Sequence, residues 1–448
     1  MRWCRVLLIA LCASHGLALA QTPTPAGGAT SPQAARPADH VFVLMLDGAR
    51  PDVLRSVRTP TLTALAAAGV RYLQARTIYP SQTRVAFVSL PTGSYTGSHG
   101  IVGGDSFMDP DWQQIGFGDD DPIKAQALCA RPTIFEEASG AGLTSVYAAM
   151  KGYELVGARG ATWTINGNKT LDPTVYASRY QTSVHGSPAL ALWNKERLSR
   201  DLLDQTMTLF KERRPNIVVL NLGSADYAGH SFGPDTAEYR HALEFLDGLI
   251  GELMQMLADL SVRDRTTVII SADHGFTPVN GNWLVAKPAG TRVTIPELTA
   301  RGIEHHVSNT GGTSMGIYVR DKGRVAEAAA ILRAQSWTDA IYCEDARARC
   351  DRTLRELNAF FPGRSPDLMV DLDDDATVNR PYAGNHGSLR ETDARIPLIL
   401  SGAGIRRGAI LGKASLVDVA PTILRLLNLS GKMLRPDGRP LEEALTQG

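Results

Sequence analysis

The sequence has little cysteine, no surplus of either charge, and no long apolar run beyond its first twenty residues. Among 448 residues there are 5 cysteines, and 46 lysines and arginines balance 46 aspartates and glutamates. Without a net positive field, nothing draws in polymeric nucleic acid or an anionic membrane, so any anion must be held by local chemistry such as a metal. The absence of a CxxC pair argues against a thiolate metal site. No stretch after residue 20 is apolar enough to span a bilayer, and no internal repeat is visible. What is present is a globular composition, 44% hydrophobic and 21% charged, which excludes disordered, collagenous and low-complexity classes. The length allows one large α/β domain or two to three ordinary ones.

Residues 1–20 read as a signal peptide: Arg2 and Arg5, an apolar run, then Ala18-Leu19-Ala20 as a small-x-small cleavage site. The run is short for a membrane anchor and is broken by Ser14, His15 and Gly16. Residues 21–38, rich in Pro, Thr, Gly and Ala, read as a flexible leader. The expectation is a soluble protein in an oxidising compartment, most simply a bacterial periplasm. Cys343 and Cys350 are spaced to close a small disulfide there, which leaves Cys129 unpaired.

From residue 39 to 432, buried-strand patterns alternate with helical ones. The apolar run Val41-Phe-Val-Leu-Met-Leu46 ends in Asp47-Gly48, and further buried runs occupy 145–149, 217–222, 267–271, 367–370 and 397–400. Helical spacing covers 61–68, 200–213, 236–257, 324–334 and 416–427. This alternation predicts an α/β fold with a largely parallel central sheet and helices on both faces. The stretch 278–365 is less regular and reads as a smaller lobe near the active site.

Parallel sheets place ligands at the carboxyl ends of their strands. The first strand delivers Asp47. The run 217–222 leads to Asp226 and His230, the run 267–271 to Asp273-His274-Gly275, and Asn385-His386-Gly387 lies near the last strand. Carboxylate and imidazole donors together suit zinc, or manganese or iron. Asp226 and His230 are four apart, so one helical turn or compact loop aims both at one ion, while Asp273 beside His274 needs a turn that Gly275 permits. Each piece alone also fits an ordinary polar turn; their joint occurrence in this order is what points to a metal centre. Between the first and second ligand groups, Tyr79-Pro-Ser-Gln-Thr83 opens a predicted helix, whose N-terminus suits a phosphate. Thr83 is a candidate nucleophile, since a divalent ion brings its alkoxide within reach. The plainer reading is that Ser81 and Thr83 cap a helix.

Asp47-Gly-x-Arg50, Pro80-Ser-x-Thr83, Gly93, His99-Gly-Ile101, Asp226-x-x-x-His230, Asp273-His274-Gly275 and Asn385-His386-Gly387 together resemble the nucleotide pyrophosphatase/phosphodiesterase family of the alkaline phosphatase superfamily. The resemblance runs from about 40 to 430 in the right order, and the 36-residue separation of Asp47 and Thr83 fits it. It implies two zinc ions, one held by Asp226, His230 and His386, the other by Asp47, Asp273 and His274 with Thr83 as nucleophile on it. It also implies a small-molecule phosphate diester as substrate and a phosphothreonine intermediate.

The chain departs from that family at one important position. The family's asparagine, about twenty-one residues after the nucleophile, is here Gly104, followed by Asp105, and the nucleophile is followed by Arg84-Val-Ala rather than Phe-Pro-Asn. Arg84 is the candidate replacement donor. The missing asparagine keeps a phosphomonoesterase or phosphonate hydrolase open as an alternative, and a catalytically silent metal-binding protein is the alternative of another class. A sulfatase is excluded because no C/S-x-P-x-R segment surrounds Thr83. The glycine runs at 402–408 and 408–413 have the wrong spacing for a dinucleotide turn or a P-loop. His305-His306 either borders the pocket or, more simply, reads as an exposed loop, 211–214 reads as a solvated helix end, and Asp371-x-Asp-Asp-Asp375 as a polar loop rather than a calcium site.

Overall fold

The computed structural model describes residues 36–446 apart from 118–121, 168–187, 280–282, 285–286, 290–291, 310, 375 and 379–381. The expected signal peptide, most of the expected leader, and Asp375 lie outside the described residues. An eight-stranded sheet forms the centre. Its strands are β1 (His40–Leu46), β2 (Val70–Arg76), β3 (Ser145–Ala149), β4 (Trp163–Asn166), β5 (Ile217–Leu222) and β6 (Thr266–Ser271), joined by two strands from near the C-terminus.

Every residue of β1, β3, β5 and β6 is buried, as expected of parallel strands covered on both faces. β1 lies between β5 and β6, with Val43 opposite both Val219 and Ile269. A second sheet holds β7 (His305–Asn309), β8 (Ser314–Val319), β9 (Thr338–Cys343) and β10 (Leu368–Leu372), all antiparallel, in the order β7-β8-β10-β9. The chain then returns to the main sheet as β11 (Leu398–Gly402) and β12 (Ala409–Ser415), giving the order β12-β2-β11-β6-β1-β5-β3-β4. Only β11 runs against the other seven.

The run expected at 367–370 is therefore β10 of the antiparallel sheet and not part of the parallel one. A buried apolar run reports burial and carries no information about which sheet receives it. The second sheet has its own core, in which Met315, Ile317, Ile341 and Val370 meet Ala328 and Leu332. Cys343, ending β9, is disulfide-bonded to Cys350, and Cys129 is free and buried.

The longer helices are α1 (Pro60–Ala68), α2 (Thr83–Thr92), α3 (Pro188–Arg213), α4 (Ser224–Phe232), α5 (Ala237–Asp259), α6 (Val325–Arg333) and α7 (Val419–Leu426). α5 shows why such segments are helical. Its buried residues Leu243, Leu246, Ile250, Leu253 and Leu257 recur at three- and four-residue spacing, and Thr236 caps it by accepting from the Tyr239 N–H. α2 is unusual in being buried at all ten positions, and it ends at Gly93 with φ 61°. Among the described residues no helix is long and apolar enough to cross a membrane.

His305 and His306 are buried on β7, contrary to the exposed loop expected. His305 is satisfied there, because its Nε2 accepts from the Ile295 N–H at 2.8 Å and its Nδ1 donates to the Ile303 carbonyl at 2.8 Å. Asp371 is likewise no loop residue. It sits buried on β10, where Tyr79 and Tyr342 donate their hydroxyls to it.

Candidate active site

Four neighbouring parallel strands, β3, β5, β1 and β6, each end in a short connection that carries a charged side chain to one edge of the sheet. Asp47 follows β1, Asp226 lies on the first turn of α4 after β5, Asp273 and His274 follow β6, and Lys151 follows β3. His230 is one turn further along α4. His386 arrives from the segment preceding β11, the one strand whose amino end meets this edge. Gly48 makes the first turn at φ 74°, where its N–H donates to Asp273 Oδ1 at 3.0 Å. Gly275 is needed for space rather than for an unusual turn, since a Cβ there would lie 2.0 Å from the Thr392 carbonyl oxygen.

The six residues singled out in the sequence fall into two groups, Asp226 with His230 and His386, and Asp47 with Asp273 and His274. Within each group the donor atoms lie within 4.8 Å of one another. Each aspartate keeps one buried oxygen with no hydrogen-bond donor: Oδ1 of Asp47, Oδ1 of Asp226 and Oδ2 of Asp273. The histidine Nε2 atoms converge on these same oxygens. His230 Nε2 is 3.4 Å and His386 Nε2 3.9 Å from Asp226 Oδ1, while His274 Nε2 is 3.2 Å from Asp273 Oδ2 and 3.6 Å from Asp47 Oδ1.

The other nitrogen of every ring is already committed. Nδ1 faces a backbone carbonyl in all three: Gly384 for His230 at 3.1 Å, Gly275 for His274 at 2.9 Å and Ser81 for His386 at 2.9 Å. Nδ1 must therefore carry the proton, and Nε2 presents a lone pair in the neutral ring. Metal-ligating histidines are oriented in this way, with the outer nitrogen donating to a fixed acceptor. A buried carboxylate oxygen without a partner costs on the order of 1–3 kcal/mol or more, and a bound cation removes that cost. The donors present thus fit divalent transition ions.

The charge state of the cluster agrees. Burial, followed by repulsion from Asp47, holds the Asp273 carboxyl well above the usual carboxylate range. Burial also lowers His274, and burial with His274 and His230 nearby takes His386 well below the ordinary imidazole value. Burial opposes ionisation of Asp226, but the Lys151 ammonium beside it overcomes this and holds that carboxyl well below its usual range. Neutral histidines among crowded carboxylates are what a cation site requires.

Thr83, the first residue of α2, is buried with its Oγ1 3.2 Å from His274 Nε2. No side chain caps α2. Ser81 is occupied elsewhere: its hydroxyl donates to the Ser388 carbonyl at 2.8 Å and accepts from the Gly387 N–H at 3.2 Å, fastening the Thr83 segment to the His386 loop. Arg84 is buried with its guanidinium 4.6 Å from the centre of the Tyr153 ring. Gly104 is buried beside Asp105, whose carboxylate accepts from Ser308 Oγ and the Ser106 N–H, and no described contact ties Gly104 to the two donor groups.

Lys151, Glu154 and Asn221 were not anticipated from the sequence. Lys151 Nζ donates to Asp47 Oδ2 at 2.8 Å and to Asp226 Oδ2 at 2.9 Å, one carboxylate from each group. Asn221 Nδ2 donates to Asp47 Oδ2 and to Glu154 Oε1, each at 2.9 Å. Glu154 also accepts from the backbone N–H groups of Met150 and Lys151, and burial pushes its carboxyl up to about 8. A signal for Lys151 existed, because it is the first charged residue beyond the carboxyl end of a buried strand, the rule that found Asp47.

A mostly parallel sheet whose carboxyl edge gathers three aspartates and three histidines beside a buried threonine defines an alkaline-phosphatase-like scaffold. The profile of the Type I phosphodiesterase / nucleotide pyrophosphatase family matches residues 41–393, and the chain belongs to that family. Ectonucleotide pyrophosphatase/phosphodiesterase family member 7 of Homo sapiens is 26% identical over 303 residues, 67% of this chain and 60% of the relative. Family member 1 of Homo sapiens is 28% identical over 254 residues, 56% of this chain and 24% of the relative. The chain thus matches only part of the length of these relatives. Murine ectonucleotide pyrophosphatase/phosphodiesterase 5, solved as an inactive threonine-to-alanine form in complex with AMP, superposes with a TM-score of 0.68 at 18% identity, covering 91% of this chain and all of that one.

Proposed function

We propose that the chain is an exported, zinc-dependent hydrolase of small-molecule phosphate diesters that works through a phosphothreonine intermediate on Thr83. In this reading residues 1–20 are the signal peptide, 21–38 a leader and 39–432 the catalytic domain. The observation that carries it is the convergence of three donor-less carboxylate oxygens and three histidine lone pairs beside the Thr83 hydroxyl. Asp226, His230 and His386 would hold one zinc, and Asp47, Asp273 and His274 the other. Bound there, the ions supply the charge that brings the Thr83 hydroxyl toward its alkoxide and balances the phosphoryl oxygens.

The chain's own part is positioning. Thr83 Oγ attacks phosphorus, the ester oxygen leaves with its alcohol or nucleotide, and water then cleaves the Oγ–P bond to regenerate the hydroxyl. Ser81 keeps the nucleophile segment and the His386 loop in register. The relative solved with AMP supports a nucleotide-type ester among the substrates, and its threonine-to-alanine form supports the role given to Thr83.

Replacing the hydroxyl tests this. Thr83→Ala is expected to fold and bind zinc as the parent does and to lose nearly all turnover of a nitrophenyl phosphodiester. Activity retained within about tenfold, roughly 1.4 kcal/mol of barrier, contradicts the nucleophile role. Chelation is expected to abolish turnover and added zinc to restore it.

A further inference from the structure

On one face of the main sheet the covering layer stops short of the edge. α1 packs on β11 and leaves the outer strands β2 and β12 open. Arg71 of β2 pairs with Ile399 of β11 on one side and with Ile410 of β12 on the other, so the three side chains share this face, and Leu73, two residues along, joins them. Tyr72 points to the opposite face, where its hydroxyl donates to Glu443 Oε1 at 3.1 Å. Leu73 is 52% and Ile410 62% exposed, although strands of a parallel sheet are normally covered on both faces. Between these strands and Leu62 of α1 runs a groove of about 570 Å³, a volume typical of small-ligand sites. Arg55 and Arg71 line it, and no aspartate or glutamate does. No described hydrogen bond or ion pair engages either guanidinium, and Arg71 Nε is buried without an acceptor. Asp52 and Glu391, which line the adjoining cleft with Arg55, are already held by Arg50 and by Arg76 and Arg395.

We propose that this groove is a binding site for a fatty acid, with the acyl chain along Leu73, Ile399 and Ile410 and the carboxylate on Arg71 and Arg55. The site shares no residue with the two donor groups and stands independently of the hydrolase reading. Its apolar floor supplies the burial a hydrocarbon chain seeks. A bound carboxylate gives Arg71 Nε the acceptor it lacks, in a charge-assisted hydrogen bond. The concave shape between helix and sheet takes a single chain rather than the plane of a bilayer. A second copy of the protein seated here would bring the same uncompensated arginines together across a two-fold axis, which charge disfavours.

The test is calorimetry of dodecanoate, below its micelle-forming concentration, with the purified chain, Arg71→Gln and Ile410→Glu. The parent is expected to bind dodecanoate at one site. Each methylene buried is worth about three- to fourfold in Kd, so octanoate is expected to bind at least about tenfold more weakly. Dodecyl maltoside, with the same chain and an uncharged head, is expected to be weaker by a similar factor. R71Q and I410E are each expected to raise the dodecanoate Kd at least about tenfold. No binding by the parent, or equal binding of the maltoside, overturns the proposal. Binding that both variants leave within about threefold of the parent places the fatty acid elsewhere, on the metal donors for example, and overturns it equally. Should R71Q not fold, I410E and the chain-length and head-group comparisons on the parent decide. Adsorption to phosphatidylglycerol vesicles without binding of free dodecanoate would assign the face to a membrane. A concentration-dependent dimer that I410E dissociates, again without dodecanoate binding, would assign it to a second copy, and either result overturns the fatty-acid site.

Discussion

Asp273 accepts from the N–H groups of Gly48 and His274 through Oδ1 and has no donor at Oδ2. With Asp47 close by, its charge is a burden to the ion-free protein and an asset once a cation is bound. Asp273→Asn keeps the shape and removes the charge. It is expected to stabilise the chelated protein by on the order of 1 kcal/mol and to abolish one of the two zinc equivalents. Thermal unfolding with chelator and with zinc checks this, and a variant destabilised in both conditions contradicts it. Ser81 acts in the opposite way, as a buried hydroxyl with two backbone partners. Ser81→Ala is expected to cost about 1–3 kcal/mol of stability. By loosening the His386 loop it should also weaken zinc binding by roughly 10–100-fold. Zinc calorimetry on the variant reads the second effect, and unchanged affinity would separate Ser81 from the site. At this scale the sequence pointed to the six residues that the fold brings together as candidate donors, because Asp and His next to buried strands are chemically conspicuous. Lys151 was passed over although it follows a buried strand as Asp47 does, since a lone lysine there has the ordinary look of a surface residue and its two carboxylate partners lie 104 and 75 residues away.

The elements bring these residues together through strand direction. β3, β5, β1 and β6 were legible as uninterrupted apolar runs, and their parallel order puts four connections at one edge. β2 was missed because its burial alternates irregularly, with Leu73 and Gln74 both exposed, and β12 because it is an edge strand holding Gly412 and Lys413. The antiparallel sheet touches the site through Asp371 of β10, which accepts from Tyr79 Oη at 2.8 Å and from the Leu389 N–H at 2.9 Å. One carboxyl thus ties the second sheet to both the Thr83 segment and the His386 loop. Burial pushes it up to about 7. The unfolded chain releases this proton near pH 4, while the folded protein keeps it until about pH 7, so the group's contribution to stability falls as pH rises through that window and is level above it. Asp371→Asn lacks this dependence. Relative to the parent it is expected to gain roughly 2–3 kcal/mol between pH 5 and pH 8 in urea unfolding. Parallel pH profiles for the two proteins would contradict the assignment.

For the whole molecule, the proposed metal cluster leaves three buried carboxylate oxygens without donors, and metal binding is therefore expected to stabilise the fold. Zinc at a hundred times its Kd should stabilise the folded chain by about 2.7 kcal/mol per site. The main core extends past the last helix, with Leu434, Leu441 and Ala444 packed into it, so the C-terminal segment is part of the unit that holds the site. The central claim is that two donor groups each hold one ion beside Thr83. Elemental analysis of the purified chain after zinc loading and desalting tests it most directly. The expected result is two zinc ions per chain, falling to one in Asp226→Ala and in Asp273→Ala. Less than one ion in the parent, or a count that neither substitution lowers, would contradict it.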